Sequence, residues 1–437
     1  MLHRRLTAVA LGLASALAMQ AAQATNGYMS HAYSPAAKGM AGAGEAALPQ
    51  DSMSIVGNPA GIAKVGRRFD IGAAWFSPLR EYDGIAPFDA NGMPTGAMAP
   101  IGGGVDGTGT VESKNNDFFI PNIGYTHPID EVSSVGIAVF GNGGMNSDYR
   151  SIDTLMNLGT YGGNNPFANP PAYNNPMDPR FGTQVPGGFQ GYTETFTQSM
   201  IASQTMSAVS PTGLSDNGED SSWGYGFQLG MLWDINPQMT LGASIRSKMY
   251  MDEFDKYKDL FAEQGDFDMP AVATIGLAYR PDDRWAVALD VQQIWYGDVK
   301  SIANDNKLAT NCDLGGQFGG QYESSYCLGG DNGAGFGWRD MTVIKLGVQY
   351  AATDALTLRG GYSHGNQPIR GSQVAFNALA PAVIEDHWTL GATYKLASNY
   401  ELTFWGMYAP EETVKGPGAF TGTQAPEIKM HQYELGV

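Results

Sequence analysis

The chain has 437 residues and carries 43 acidic against 25 basic side chains, a formal net charge of −18. That balance argues against nucleic acid as a partner, since phosphate contacts need clustered Lys and Arg; it reads instead as loop solubility. After the amino terminus no stretch reaches the roughly 18 to 20 uninterrupted apolar residues that a membrane helix needs, and the 58 glycines suit a sheet with many small side chains on one face.

In chain order, His3, Arg4 and Arg5 precede the apolar run Leu6 to Met19, and Ala22-Gln23-Ala24 offers the small residues a signal peptidase accepts. Residues 1–24 are therefore expected to be a signal peptide. The mature chain would begin at Thr25 with a net charge of −20, because two arginines and no acid leave. Residues 25–67 are rich in Ala, Gly, Ser and Met, lack strand alternation, and are expected to stay out of the sheet.

From there to residue 437 the dominant signal has period two. Strands are expected at 69–77, 117–126, 132–140, 222–233, 239–251, 270–280, 284–297, 340–351, 355–365, 385–395, 399–409 and 428–437. Four hairpins share one figure, an aromatic residue followed eight positions later by Leu or Val: Trp233 to Leu241, Tyr279 to Val287, Tyr350 to Leu358 and Tyr394 to Leu402. Along 223–233 the odd positions are Trp, Tyr, Phe, Leu, Met and Trp, whereas the even ones are mostly Gly or Gln. Past the turn, Met239, Leu241, Ala243, Ile245, Met249 and Met251 alternate with Thr240, Gly242, Ser244, Arg246, Lys248 and Tyr250. A soluble sandwich also alternates, but aromatics gather at the strand ends (Trp223, Trp233, Trp285, Tyr350, Trp388, Tyr408), as in the girdles of a transmembrane barrel. Short and long connections alternate strictly, which places turns on the periplasmic side and long loops outside. A signal peptide, alternating strands and no spanning helix together indicate an all-β transmembrane antiparallel barrel in a bacterial outer membrane, since an open sheet edge cannot stand in hydrocarbon.

Several residues are singled out. Inward register places Arg246, Lys248, Lys345 and Arg359 in the lumen with Asp290, Glu401 and Glu434; the cations either hold a ligand carboxylate or pair across the lumen. The acidic loop 252–268 is expected to be a solvated face, with a short amphipathic helix around Tyr257, Leu260 and Phe261, and its spacing matches no EF-hand. Cys312 and Cys327 share one Gly-rich loop, where an oxidising compartment predicts a disulfide; two free thiols are the alternative, and no metal cluster fits. His31, His127, His364, His387 and His431 are scattered and no catalytic motif is present, so neither an enzyme nor a cofactor is expected.

Ser34-Pro-Ala-Ala-Lys-Gly-Met-Ala-Gly-Ala-Gly-Glu-Ala followed by Gly57-Asn58-Pro59-Ala60-Gly61 resembles the amino-terminal hatch of the FadL family, outer-membrane channels for fatty acids and other hydrophobic compounds. Phe254-Asp255-Lys256-Tyr257 and Asp331-Asn332-Gly333-Ala334-Gly335-Phe336-Gly337-Trp338 resemble its TodX-like, hydrocarbon-uptake branch. The resemblance implies a barrel of fourteen strands, against the twelve clear here. It also implies a mostly helical hatch over 25–67 inside the barrel 68–437, and a side exit into outer-membrane lipid at an inward kink in the third strand. Phe140, Gly141, Gly143 and Gly144 are the candidate kink, or else the start of a long loop. Asn58, Pro59 and Ala60 are the candidate gate, or else a helix-ending turn. The implied function is passive uptake of a hydrophobic small molecule by a monomer, long-chain fatty acid or neutral hydrocarbon; a general aqueous porin is the rival class. Two departures stand out. Between the third strand and Trp223 some eighty residues hold at best two weak strands, and the chain ends on Leu435-Gly436-Val437, not on an aromatic residue, which predicts a shortened last strand.

Overall fold

The structure, a computed structural model, describes residues 26–83, 110–113, 115–141, 220–258, 260–305, 325, 329–377, 379–397, 399–416 and 427–437. Its strands are β1 (Arg68–Asp83), β2 (Thr110–Glu112), β3 (Phe118–Pro128), β4 (Ser134–Val139), β5 (Gly224–Tyr225), β6 (Gln228–Asn236), β7 (Met239–Arg246), β8 (Tyr250–Met251), β9 (Val272–Tyr279), β10 (Trp285–Ile294), β11 (Met341–Ala351), β12 (Leu356–Gly365), β13 (Asp386–Ala397), β14 (Tyr400–Lys415) and β15 (Glu427–Gly436). Twelve of them form one antiparallel path, β4-β3-β1-β15-β14-β13-β12-β11-β10-β9-β7-β6, with β2 attached to β1. Each of the twelve corresponds to an expected strand. The two ends of the path, β4 and β6, are joined in sequence through residues 142–219, which lie outside the described residues, as does the poorly alternating stretch between them.

The pleat sorts side chains as the sequence pattern required. Outward positions are large and apolar, and Leu390 and Ile71 are 74% and 71% exposed. In water such a surface would cost about 25 cal/mol per Å²; in a bilayer it costs nothing. Inward positions hold Thr240, Ser244, Asp290, Lys345, Thr389, Gln432 and Glu434, all buried. What buries them is the segment 26–66, which touches all twelve strands from inside. It meets Asp70 of β1, Gly124 of β3, Gly136 of β4, Gly230 of β6, Gly242 of β7, Gly276 of β9 and Asp290 of β10. It then meets Lys345 of β11, Gly361 of β12, Thr389 of β13, Trp405 of β14 and Glu434 of β15. Only a sheet wrapped around the segment can make all of these contacts, and the result is a β-barrel with a folded plug.

The plug fits because the wall gives up side chains at its level. A Cβ on Gly242 would stand 1.8 Å from the Ala46 carbonyl oxygen, and one on Gly361 would stand 2.1 Å from the carbonyl carbon of Met40. The plug itself has three short α-helical turns, Pro35–Lys38, Ser54–Gly57 and Ile62–Val65, and a 3-10 turn at Pro59–Gly61. Ser34 caps the first by accepting from Ala37 N, and Pro35 opens it, where its missing N–H costs nothing.

Four expectations are corrected. The last strand is not shortened: Gly436 pairs with Ala74 on one side and Trp405 on the other, and Val437 exchanges both backbone hydrogen bonds with Ala73 at 3.0 and 2.9 Å. Ladder pairing is a backbone property, so a missing terminal aromatic does not end it. The strand expected over 239–251 stops at Arg246. There Ser247 Oγ accepts from Phe227 N and donates to the Lys248 carbonyl, taking a ladder place that backbone would otherwise fill. The facing then reverses, so that Tyr250 is exposed while Met249 and Met251 pack inward. The strand expected over 222–233 divides likewise, with β5 pairing only β8. Finally, residues 252–268 form no amphipathic helix among the described residues. They hold a 3-10 turn at Asp255–Tyr257 and a turn at Ala262–Gly265 in which Glu263 and Gln264 are left-handed, and Asp268 is buried rather than solvated.

Candidate functional site

Above the plug, on the long-loop side, the lumen is filled by apolar side chains from four directions. Val272 of β9, Ile294 of β10, and Met341 and Val343 of β11 supply the wall. Phe267 comes from the loop after β8, and Tyr296, Phe336 and Trp338 from the connection between β10 and β11. Tyr28 and Met29 of the plug reach up into the same cluster. The Tyr28 ring lies 5.3 Å from Tyr296, 5.6 Å from Phe267 and 5.9 Å from Trp338, tilted against each, within the range of favourable aromatic contacts. The polar tips are satisfied. Tyr28 Oη donates to the Asp268 carbonyl at 3.1 Å, Tyr296 Oη donates to the Asn26 carbonyl, and Trp338 Nε1 donates to Asn377 Oδ1 at 2.5 Å. Gly27 lies left-handed at φ 69°, with Tyr296 so close that a Cβ would overlap its hydroxyl.

The four candidate cations meet different fates. Lys345 Nζ donates to the His31 carbonyl at 2.8 Å. Arg359 is held by Gln349, Thr393 and Gln50 of the plug at 2.9, 2.6 and 2.7 Å. Lys248 does not point down a strand into the lumen, because β7 has ended; it pairs with Asp268 at 2.6 Å. Arg246 differs from the other three. It is buried on the inner face of β7, its contacts are Tyr33 Oη at 3.4 Å and Met29 Sδ at 3.7 Å, and its Nε has no partner among the described residues. Of the inward acids, Asp290 accepts from Ala46 N, Glu434 holds Lys38 at 2.5 Å, and Glu401 pairs with Arg68.

The gate motif sits where the plug meets β6. Asn58 Nδ2 donates to the carbonyls of Ala46 at 2.7 Å and Met231 at 3.1 Å, and its Oδ1 accepts from Ala60 N. A Cβ on Gly230 of β6 would overlap Asn58 and Pro59. Asn58 thus ends one helical turn, begins the next, and ties both to one edge of the strand path. Phe140 follows β4 at the other edge and packs edge-on against Tyr33 at 5.2 Å. Gly141 is described without strand structure, whereas Gly143, Gly144, Cys312 and Cys327 lie outside the described residues.

Two arrangements escaped the linear reading. Histidines that look scattered converge: His31 of the plug stacks on His387 of β13 at 5.9 Å, beside Trp405, with Glu434 Oε2 at 3.5 Å from His31 Nδ1. Their role here is packing between plug and wall. The glycine seat is the second: Gly124, Gly136, Gly230, Gly242, Gly276, Gly347, Gly361 and Gly391 fall on inward-facing positions of eight wall strands, a pattern present in the sequence.

A lipid-facing barrel with a plugged lumen and an apolar chamber defines an outer-membrane transport protein for hydrophobic compounds. The family model described as outer membrane protein transport protein (OMPP1/FadL/TodX) matches residues 15–163 and 187–405. The chain belongs to that family, whose members are transport channels rather than enzymes. It is 21% identical over 404 residues to the long-chain fatty acid transport protein of Escherichia coli, covering 82% of this chain and 81% of that one. Among solved structures, a Pseudomonas aeruginosa FadL homologue superposes with a TM-score of 0.56 at 17% identity, covering 94% of this chain and 98% of the other. The Pseudomonas putida toluene transporter TodX does so with 0.54 at 15% identity, covering 93% and 97%. At these identities the two structures support the fold alone.

Proposed function

We propose that the protein passively admits hydrophobic molecules that end in a carboxylate, long-chain fatty acids foremost, and that Arg246 holds the carboxylate while the chamber around Tyr28, Phe267, Tyr296 and Trp338 holds the tail. The observation that carries this reading is the incomplete coordination of Arg246. A guanidinium removed from water without an anion is costly, and a carboxylate brought by the ligand would supply one. Lys248, Lys345 and Arg359, the other three candidates, are already engaged. The Escherichia coli relative's name, a long-chain fatty acid transport protein, agrees with this reading.

In the same proposal residues 1–24 are a cleaved signal peptide and residues 25–67 a hatch that keeps the lumen closed to water. A ligand that stayed in an aqueous pore would forfeit about 25 cal/mol per Å² of apolar contact. It therefore leaves sideways into outer-membrane lipid between the Asn58-Pro59-Ala60 turn and the Phe140–Gly144 segment, and a monomer suffices. A second reading draws on the aromatic lining: a neutral monoaromatic hydrocarbon, as in the name of the toluene transporter TodX, would need the rings and not the cation.

The two readings separate in one experiment. Uptake of radiolabelled laurate and toluene is followed in a porin-deficient, transporter-deficient strain expressing the intact chain or Arg246→Met, with a small sugar as control. Laurate uptake should fall by an order of magnitude in the variant while toluene uptake is kept. Equal loss of both would overturn the role of Arg246, and sugar uptake by the intact chain would mean an aqueous porin.

A further inference from the structure

The segment Asp266-Phe267-Asp268 presents opposite faces to two environments. Inward, Phe267 packs on Tyr28, Phe254 and Phe261 at 5.6, 6.1 and 5.0 Å, and the Asp268 carbonyl receives the Tyr28 hydroxyl. On the other side, the two carboxyl groups stand together, within hydrogen-bonding reach of each other, Asp268 buried and Asp266 partly exposed. Asp268 is fully committed, with Oδ2 on Lys248 Nζ at 2.6 Å and Oδ1 accepting from Met251 N at 2.8 Å. Asp266 is left with Oδ1 buried and unpartnered among the described residues.

The charges around this pair are unbalanced. Lys248 is a single cation between two carboxyl groups, and the third acid facing them, Glu263, is taken by Lys300 Nζ at 2.7 Å. The neighbouring Gln264 is bonded to the Gly329 carbonyl and to Asp331 Oδ1. The local backbone is held under strain as well: Glu263 and Gln264 are left-handed at φ 59° and 57°, a conformation that disfavours side chains with a Cβ. Among the described residues, a full negative charge on both Asp266 and Asp268 has the single Lys248 ammonium to offset it.

We propose that Asp266-Phe267-Asp268 is a proton-operated latch, which holds Tyr28 in the aromatic chamber while Asp266 carries a proton and lets it go when that proton is lost. The inference rests on the reading of that chamber as the ligand's path. Burial pushes the Asp266 carboxyl from 3.8 up to about 6, the Asp268 carboxylate acting in the same direction and Lys248 against it. A raised acid favours the latched arrangement in full below its free value, and that advantage is lost as pH climbs from about 4 through about 6. Partial exposure screens the effect, so roughly a tenfold change in the latched-to-released ratio is expected.

The test is made without ligand, on the full chain in detergent micelles, by hydrogen exchange of residues 26–33 and 249–269 at pH 4.5 and pH 7, corrected for intrinsic rates. Protection should fall about tenfold at the higher pH in the wild type. Asp266→Asn, which keeps the neutral hydrogen-bonding form, should be protected equally at both. Equal protection of the wild type at the two pH values would overturn the latch, as would a pH dependence that survives in Asp266→Asn. Laurate uptake plays no part in this result, so a failed latch and a failed ligand assignment are told apart.

Discussion

Lys38→Met should unseat the plug while leaving the barrel folded. Lys38 comes from the plug's first helical turn and Glu434 from the last strand of the wall; both side chains are nearly inaccessible, at 7% and 1%, and their charged atoms are 2.5 Å apart. The ammonium also lies over the Trp405 ring at 4.5 Å. Removing the cation leaves a buried carboxylate beside the His31 imidazole, at 3.5 Å. Breaking a buried pair from one side costs about 3–5 kcal/mol, and at about 1.4 kcal/mol per decade the seated-to-unseated ratio falls by some two to four orders of magnitude. The double variant Lys38→Met/Glu434→Gln removes both charges and puts a thioether where the lysine stem packed, so most of the loss should return. Hydrogen exchange across residues 34–48, together with entry of a small sugar into porin-deficient cells, reads the plug directly. Unchanged exchange in Lys38→Met, or a double variant as damaged as the single, would refute the reasoning that this pair bolts plug to wall.

Other outcomes follow from the same contacts. Gly361→Val should prevent seating, since its Cβ alone would meet the Met40 carbonyl carbon at 2.1 Å, whereas Gly360→Ala, whose Cβ would find nothing nearer than 3.6 Å, should be tolerated; heat-modifiable gel migration and sugar leak compare the two. Asn377→Ala strands the buried Trp338 indole N–H and should cost about 1–3 kcal/mol, read as weaker laurate binding by the purified protein with the barrel still heat-modifiable. Sequencing the amino terminus of the outer-membrane form should begin at Thr25, and a start at Met1 would remove the signal peptide from the account.

All twelve wall strands were legible in the linear pattern because alternate facing is a local property: each strand independently opposes large apolar side chains to lipid and small or polar ones to the lumen. Where local rules were extended too far they failed, as at Ser247, whose side chain replaces a ladder bond and reverses the facing of Lys248, Tyr250 and Met251. Residues 252–268 are solvated at Asp252, Glu253 and Asp255, as expected, and depart from that reading at Asp268. Their acids look like a solvated face in sequence, but Asp268 is buried by its bonds to Lys248, Met251 and Tyr28.

By itself, then, the sequence determined the barrel class, the strands and the side of each that meets lipid, because these follow from periodicity and from the impossibility of unpaired backbone in hydrocarbon. Which inward charges are spent and which is free was decided only by the tertiary structure. Arg246, Lys345 and Arg359 share the same facing and chemistry along the chain; what distinguishes them is whether the plug, folded from residues some two to three hundred positions away, brings a carbonyl or an amide oxygen to the cation. It does so for Lys345 through His31 and for Arg359 through Gln50, while among the described residues Arg246 receives only a phenol and a thioether. Such pairings are set by how the plug lies in its seat of glycines, and no local pattern in the chain encodes that placement.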